Sequence, residues 1–307
     1  MNLSQRHQHF PTPNPRPEAG ARPFSQFFGP ERAKKLRNTF SRPLFRGRAG
    51  VGDLLKQPHL QILIVLVTLS VLLWGCAPAD RCKNAEPVVR ILFIGNSYTY
   101  VNDLPGMFTR LSCSGGKRVE TGMAAPGGWT LAQHLASADT LNAIRGQRWD
   151  VIVLQEQSQL PASASYRDQG MYPAVRGLVS LIRSVKARPY LFLTWGHRDG
   201  WPDNQLNSYA AMQDQLYFGY VTIAKELSVD VAPVGSAWKQ AVSHTPPLDL
   251  WQEDGSHPTQ SGTYLAACVF YASLFQKSPV GLEEHAGLPA DTARTIQTIA
   301  AQTVLGK

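Results

Sequence analysis

The sequence predicts an α/β domain over residues 88–307, a parallel sheet with helices on both faces. Two observations carry that expectation. Beyond residue 88, short β-branched and aromatic runs alternate with segments of helical length, the order of repeated β-α-β units. Most of the short runs lack strict alternation of apolar and polar residues, the pattern of strands covered on both faces.

Strands are expected at Val88–Gly95, Val119–Ala124, Asp150–Gln155, Pro189–Trp195 and Val229–Val234. Helices are expected at Leu104–Leu111, Leu131–Ile144, Tyr172–Val185 and Gln205–Leu227, with a closing pair at Thr259–Phe275 and Ala290–Val304. Five parallel strands between two helical layers make a three-layer α/β/α sandwich of roughly 220 residues.

The preceding segments read differently. Residues 1–58 are rich in Pro, Arg, Gln and Ser, with a Pro at every second position from Pro11 to Pro17, and form an expected disordered arm. Residues 1–60 hold eleven Lys/Arg against three acids, so the whole formal charge of +8 lies there and the remainder balances to zero. The high charge is therefore no sign of nucleic-acid binding by the folded part.

An apolar run from Leu60 to Trp74, broken only by Gln61, Thr68 and Ser70, follows within residues 59–76. Fifteen helical residues span roughly 22 Å, short of the roughly 30 Å hydrocarbon core, which suits a signal peptide better than a stable span. Its end, Leu73-Trp74-Gly75-Cys76, resembles a bacterial lipobox, which would make Cys76 the lipidated N-terminus of the mature chain, followed by a linker at residues 77–87. Translation from near Val51 would bring this run to the N-terminus; otherwise residues 1–58 are a cytoplasmic arm ahead of a signal anchor. In both cases the basic flank Arg42–Lys56 stays inside and the domain is exported and membrane-anchored.

Ligands of open parallel sheets bind beyond the carboxyl ends of the strands. The first strand runs into Gly95-Asn96-Ser97-Tyr98-Thr99, which exposes a hydroxyl at that edge. Near the C-terminus, Asp254-Gly255-Ser256-His257-Pro258 precedes a helix. A serine hydroxyl needs a base to become a nucleophile, and histidine titrates near working pH. The histidine in turn needs an acceptor on its other nitrogen, which an aspartate three residues earlier can supply. Each segment alone reads equally as a helix cap or a polar turn.

Together the two segments resemble the SGNH (GDSL-like) hydrolases, over Val88 to about Phe275. The resemblance implies a flavodoxin-like sandwich and a triad of Ser97, His257 and Asp254. Gly127-Gly128-Trp129-Thr130 corresponds to the family's glycine block, which implies that the N–H groups of Ser97 and Gly128 hold the oxyanion. Gln155-Glu156-Gln157-Ser158 stands where the family has an asparagine block. Gln157 takes the asparagine's place by position, with Gln155 as the alternative. The strings L-Q-E-Q-S, D-G-S-H-P and G-T-Y-L-A-A look like a bacterial subgroup that carries this glutamine.

The implied activity is hydrolysis of acyl esters, expected to be acetyl esters on a carbohydrate, without cofactor or metal. The four cysteines form no C-x-x-C and no H-E-x-x-H is present, so no metal site is expected. Trp129, Trp195 and Trp251, each near the same sheet edge, are candidates for stacking on a sugar, with core packing as the alternative. His197 is a candidate substrate contact, His134 and Cys268 are expected to be structural, and Cys82 and Cys113 could pair in an oxidising compartment. A non-catalytic, surface-anchored carbohydrate-binding protein and an O-acyltransferase using the same triad are the competing functions.

Overall fold

The computed structural model describes Cys82 and residues 87–306. The arm at 1–58, the apolar run with Cys76, and the linker apart from Cys82 and Pro87 lie outside the described residues. Among the described residues no helix is long and apolar enough to cross a membrane.

Five strands form one all-parallel sheet: β1 (Val89–Ile94), β2 (Val119–Ala124), β3 (Val151–Leu154), β4 (Arg188–Phe192) and β5 (Asp230–Ala232), in the order β2-β1-β3-β4-β5. The α-helices of four or more residues are α1 (Ser97–Tyr100), α2 (Leu104–Ser114), α3 (Leu131–Ala136), α4 (Ala138–Arg145), α5 (Tyr172–Ser184), α6 (Tyr209–Leu227), α7 (Val234–Val242), α8 (Gln260–Phe275) and α9 (Ala290–Leu305). The expected α/β/α sandwich is present, and its strand order is that of the flavodoxin-like folds.

The pleat sorts the core into two layers. Ile91, Phe93, Val151 and Val153 pack on one face with residues of α2, α7, α8 and α9. Leu92, Ile94, Ile152 and Leu154 pack on the other with residues of α3, α4, α5 and α6. Alternate residues of a strand point to opposite faces, so a strand covered on both sides is apolar throughout. Helix α8 is buried over twelve of its sixteen residues, from Gly262 to Ser273, as expected of a helix that is hydrophobic all round.

Three details differ from the sequence expectation. The segment 131–144 is two helices, because Ser137 is extended and its hydroxyl caps α4 through the Thr140 N–H. The fourth expected helix begins only at Tyr209, capped by Ser208. The last strand stops at Ala232, and the chain turns at Pro233 directly into α7.

A disulfide joins Cys82 to Cys113 near the end of α2, with Cα atoms 5.0 Å apart. Cys268 is fully buried in α8 and unpaired.

Candidate active site

In this strand order the connections from β1 and β3 leave toward opposite faces, so a crevice opens between their carboxyl ends. The chain turns there at Gly95, where any side chain would collide with Gln155 Oε1 and Thr99 Oγ1. Asn96 then caps α1, its Oδ1 accepting from the Tyr98 N–H at 3.2 Å. Ser97, half-buried, is the first residue of that short helix.

The loop before α8 brings His257 to Ser97. His257 Nε2 lies 2.9 Å from Ser97 Oγ, and His257 Nδ1 lies 2.5 Å from Asp254 Oδ2. Asp254 Oδ1 also accepts from the backbone N–H groups of Ser256 and His257, at 2.9 and 3.0 Å. Burial pushes the Asp254 carboxyl up, but these hydrogen bonds outweigh it and hold the group down at about 2. A carboxylate at Asp254 accepts the Nδ1 proton, which leaves the Nε2 lone pair facing the Ser97 hydroxyl.

The loop is braced from behind. Trp195 Nε1 donates to the Ser256 carbonyl at 3.0 Å, and the Arg198 N–H to the Gly255 carbonyl at 2.7 Å. Gly255 has φ +68°, a conformation that favours glycine. Tyr98 stacks on Trp195 with ring centroids 4.4 Å apart, and Trp195 on Trp238 at 4.1 Å. Trp195 is fully buried within this stack, so the expectation that it offers a face to a sugar is overturned.

The other expected tryptophans are half-buried. Trp129 packs edge-on against His134, and its carbonyl accepts from Asn96 Nδ2 at 2.9 Å. Trp251 donates from Nε1 to the Gly196 carbonyl at 3.1 Å. With Arg198, Asp249, Glu253 and Asp254 it lines an open cleft of about 710 Å³. His197 Nε2 lies 3.0 Å from Ser256 Oγ and 3.3 Å from Ser158 Oγ, and Tyr98 OH lies 2.8 Å from the same Ser256 Oγ. Burial lowers the affinity of His197 for a proton, which favours a neutral ring.

Two glutamines were candidates for the third oxyanion donor, and their surroundings separate them. Gln155 is fully buried, and its Oε1 accepts from the Asn96 N–H and the Thr99 hydroxyl, each at 2.9 Å. Both Nε2 protons are committed, to Asn96 Oδ1 and the Glu156 carbonyl. Gln155 thus fastens the serine turn and has no donor left over, so the alternative assignment is overturned. Gln157 is half-buried; its Oε1 accepts from the N–H groups of Gln159 and Leu160, and its Nε2 makes one contact, to Ser158 Oγ at 3.2 Å. One Nε2 proton remains unspent. Gly128 has φ +73°, and neither its N–H nor that of Ser97 has a partner among the described residues.

Sequence reasoning missed Glu156. Its carboxyl is buried, and Oε1 accepts from the Leu131 N–H at 3.0 Å and the Gln157 N–H at 2.7 Å. One oxygen thereby ties the glycine loop to the glutamine loop. Oε2 has no partner among the described residues, and burial raises the group to about 7. An acid directly after an apolar strand was the available signal. His134 is buried as expected, its Nε2–H donating to the Gly95 carbonyl at 2.7 Å while Thr140 Oγ1 lies 2.9 Å from Nδ1. Among the described residues no group of His, Cys, Asp and Glu could hold a metal ion.

No family model matches the chain, and no curated protein matches it significantly. Solved structures do. A DUF4886 family protein from Bacteroides uniformis aligns with 71% of this chain and 95% of its own, at 18% identity and a TM-score of 0.62. A candidate SGNH hydrolase from Slackia heliotrinireducens aligns with 61% of this chain and all of its own, at 26% identity and a TM-score of 0.52. A candidate GDSL-like lipase from Parabacteroides merdae aligns with 63% and 99%, at 17% identity and a TM-score of 0.50. The chain shares the fold of these proteins, and two of the three bear SGNH or GDSL names.

Proposed function

We propose that this protein is a serine ester hydrolase of the SGNH type, acting on acyl esters of carbohydrates outside the cytoplasm. The observation that carries the reading is the unbroken relay from Ser97 Oγ through His257 to Asp254, at 2.9 and 2.5 Å, at the carboxyl edge of a parallel sheet. It favours turnover over mere carbohydrate binding on the same fold.

In the proposed reaction His257 Nε2 takes the Ser97 proton as Oγ attacks the ester carbonyl. Asp254 holds the ring in the required tautomer and stabilises the imidazolium. The negative charge on the carbonyl oxygen is met by the N–H groups of Ser97 and Gly128 and by the Gln157 amide, donors that lack a full set of partners among the described residues. His257 then protonates the leaving alcohol, and water, deprotonated by the same imidazole, releases the acid from Ser97.

Location is part of the proposal. The apolar run ending in Cys76 supports a tether, and the Cys82–Cys113 disulfide supports an oxidising, exported environment. Carbohydrate as the acyl carrier is supported by Trp251 beside the cleft that reaches Asp254. The test is a screen of the purified protein against p-nitrophenyl acetate and acetylated glycans, together with labelling by a fluorophosphonate. Absence of both hydrolysis and a Ser97 adduct would end this reading.

A further inference from the structure

The domain is neutral as a whole but its charge is sorted by edge. The turns and first residues that lead into the strands (87–90, 115–120, 145–150, 183–188 and 228–230) carry Arg90, Lys117, Arg118, Arg145, Arg148, Arg183, Lys186 and Arg188. Against these eight stand three acids, Glu120, Asp150 and Asp230, a net charge of +5. The strand register puts these segments side by side: Val89 pairs with Val119, Val151 with Arg188, and Tyr190 with Asp230.

The acids are already engaged. Glu120 pairs with Arg90 and Arg118, Asp230 lies 3.8 Å from Arg188, and Asp150 accepts from the Arg90 N–H. Arg145, Arg148 and Lys186 are exposed, with no acidic partner among the described residues. Cations are favoured at helix C-termini, which accounts for Arg145 and Arg183. It does not account for Arg90, Arg118, Arg148, Lys186 and Arg188, which lie on strands or in the turns that enter them.

The opposite edge has the opposite sign. The turns leaving the strands and the loop 249–259 present Asp103, Asp168, Asp199, Asp203, Asp249, Glu253 and Asp254 against Arg198, with Glu156 and Arg167 buried. Strands of three to six residues hold the two edges roughly 10–20 Å apart.

The chain from the apolar run arrives at the basic edge, at two points. Pro87 leads into β1, and Cys82 is bonded to Cys113 in the last turn of α2, four residues before Lys117. Residues 75–81 separate Trp74 from Cys82, and seven residues reach no further than roughly 25 Å. A tether of that length keeps the basic edge close to whatever surface holds the apolar run.

We propose that the edge where the strands begin docks on the anionic lipid headgroups of the membrane that carries the tether. The inference rests on the tether reading above. Basic side chains near an anionic bilayer are attracted within about one Debye length, roughly 8 Å, and the tether supplies that proximity. The acidic catalytic edge is repelled, so Ser97 faces away from the lipid and toward polymer in the surrounding space.

The test places the full chain on vesicles of phosphatidylcholine and on vesicles that also contain phosphatidylglycerol, and follows amide hydrogen exchange. Flotation with the neutral vesicles reads the tether by itself. On anionic vesicles, residues 143–150 and 183–188 should exchange about tenfold more slowly than on neutral ones, while 195–200 and 252–257 do not change. The combined variant Arg145→Glu, Arg148→Glu, Lys186→Glu should lose that protection but keep flotation and hydrolysis of p-nitrophenyl acetate. Flotation on both vesicles with equal exchange at the basic edge would overturn docking and leave the tether standing. Protection that survives the charge reversal would also overturn it. Failure to float with neutral vesicles would remove the tether, and docking as stated with it.

Discussion

The Nε2–H of His134 donates at 2.7 Å to the carbonyl oxygen of Gly95, which lies 39 residues from His134 in sequence and two residues before Ser97. The ring stands outside the Ser97–His257–Asp254 relay, yet it fixes the peptide that follows β1. Burial keeps His134 below the ordinary histidine value, against the opposing pull of that carbonyl. As pH falls through about 6.5 the unfolded chain takes up a proton that the folded ring refuses, so stability falls until the folded value is reached. His134→Leu should lower stability at neutral pH by about 1–3 kcal/mol, because the Gly95 carbonyl is left without its donor. It should also reduce the slope of Tm against pH below about 6.5. An unchanged slope would show that the folded ring takes up its proton as readily as the unfolded one.

Ser97→Ala should abolish ester hydrolysis without moving Tm, since a half-exposed hydroxyl contributes little to packing. Loss of a triad serine costs about 10⁶-fold in turnover. A variant that keeps a tenth of the wild-type rate on p-nitrophenyl acetate would exclude Ser97 as the nucleophile.

The two glutamines should fail in different ways. Gln157→Ala should lower kcat by roughly 10²–10³-fold with little change in KM or Tm, the signature of a donor used in the transition state. Gln155→Ala should lower Tm by roughly 5–10 °C, because the Asn96 N–H and the Thr99 hydroxyl lose a shared buried acceptor. Thermal melts beside steady-state kinetics separate the two, and a Gln155 variant of wild-type stability would contradict the bracing role.

Glu156 gives a pH dependence of the opposite sign to His134. Its folded value of about 7 lies above the ordinary 4.5, so the folded chain holds the proton more tightly. Its contribution is fully present below about 4.5 and is lost as pH rises to about 7, by about 3 kcal/mol in all. Glu156→Gln keeps an oxygen for the Leu131 and Gln157 N–H groups and removes the ionisation. It should therefore melt several degrees above wild type at pH 8 and close to wild type at pH 5. Equal differences at both pH values would rule out a buried, titrating carboxyl.

What could be read from the sequence follows chemical necessity. A serine nucleophile needs a base and the base needs an acceptor, so Ser97, His257 and Asp254 stood out by residue type and by position at strand ends. β1 and β3 were legible as short, largely apolar runs bounded by turn residues, and the remaining strands by their place in the alternation with helices. Gln157 stood ahead of Gln155 only by its position in the block, because residues two apart in an extended chain point the same way. Only the hydrogen bonds of each amide tell them apart. Trp195 was misplaced because a tryptophan buried behind the catalytic loop and one exposed before it occupy the same kind of sequence position. Helix α7 was hidden by its short length and by a strand that stops two residues earlier than its apolar pattern.

The disulfide also changes how the domain bears load. Cys82 and Cys113 are 31 residues apart, and the loop they close contains β1, Ser97 and most of α2. β1 lies between β2 and β3 in the sheet, so a pull entering at Val89 would peel it from both neighbours and carry the serine with it. With the crosslink in place, tension on the chain ahead of Cys82 passes to Cys113, and the stretch from 83 to 112 stays slack. A pull on the chain ahead of Cys82 would strain the end of a helix and leave the strand that leads into Ser97 unloaded.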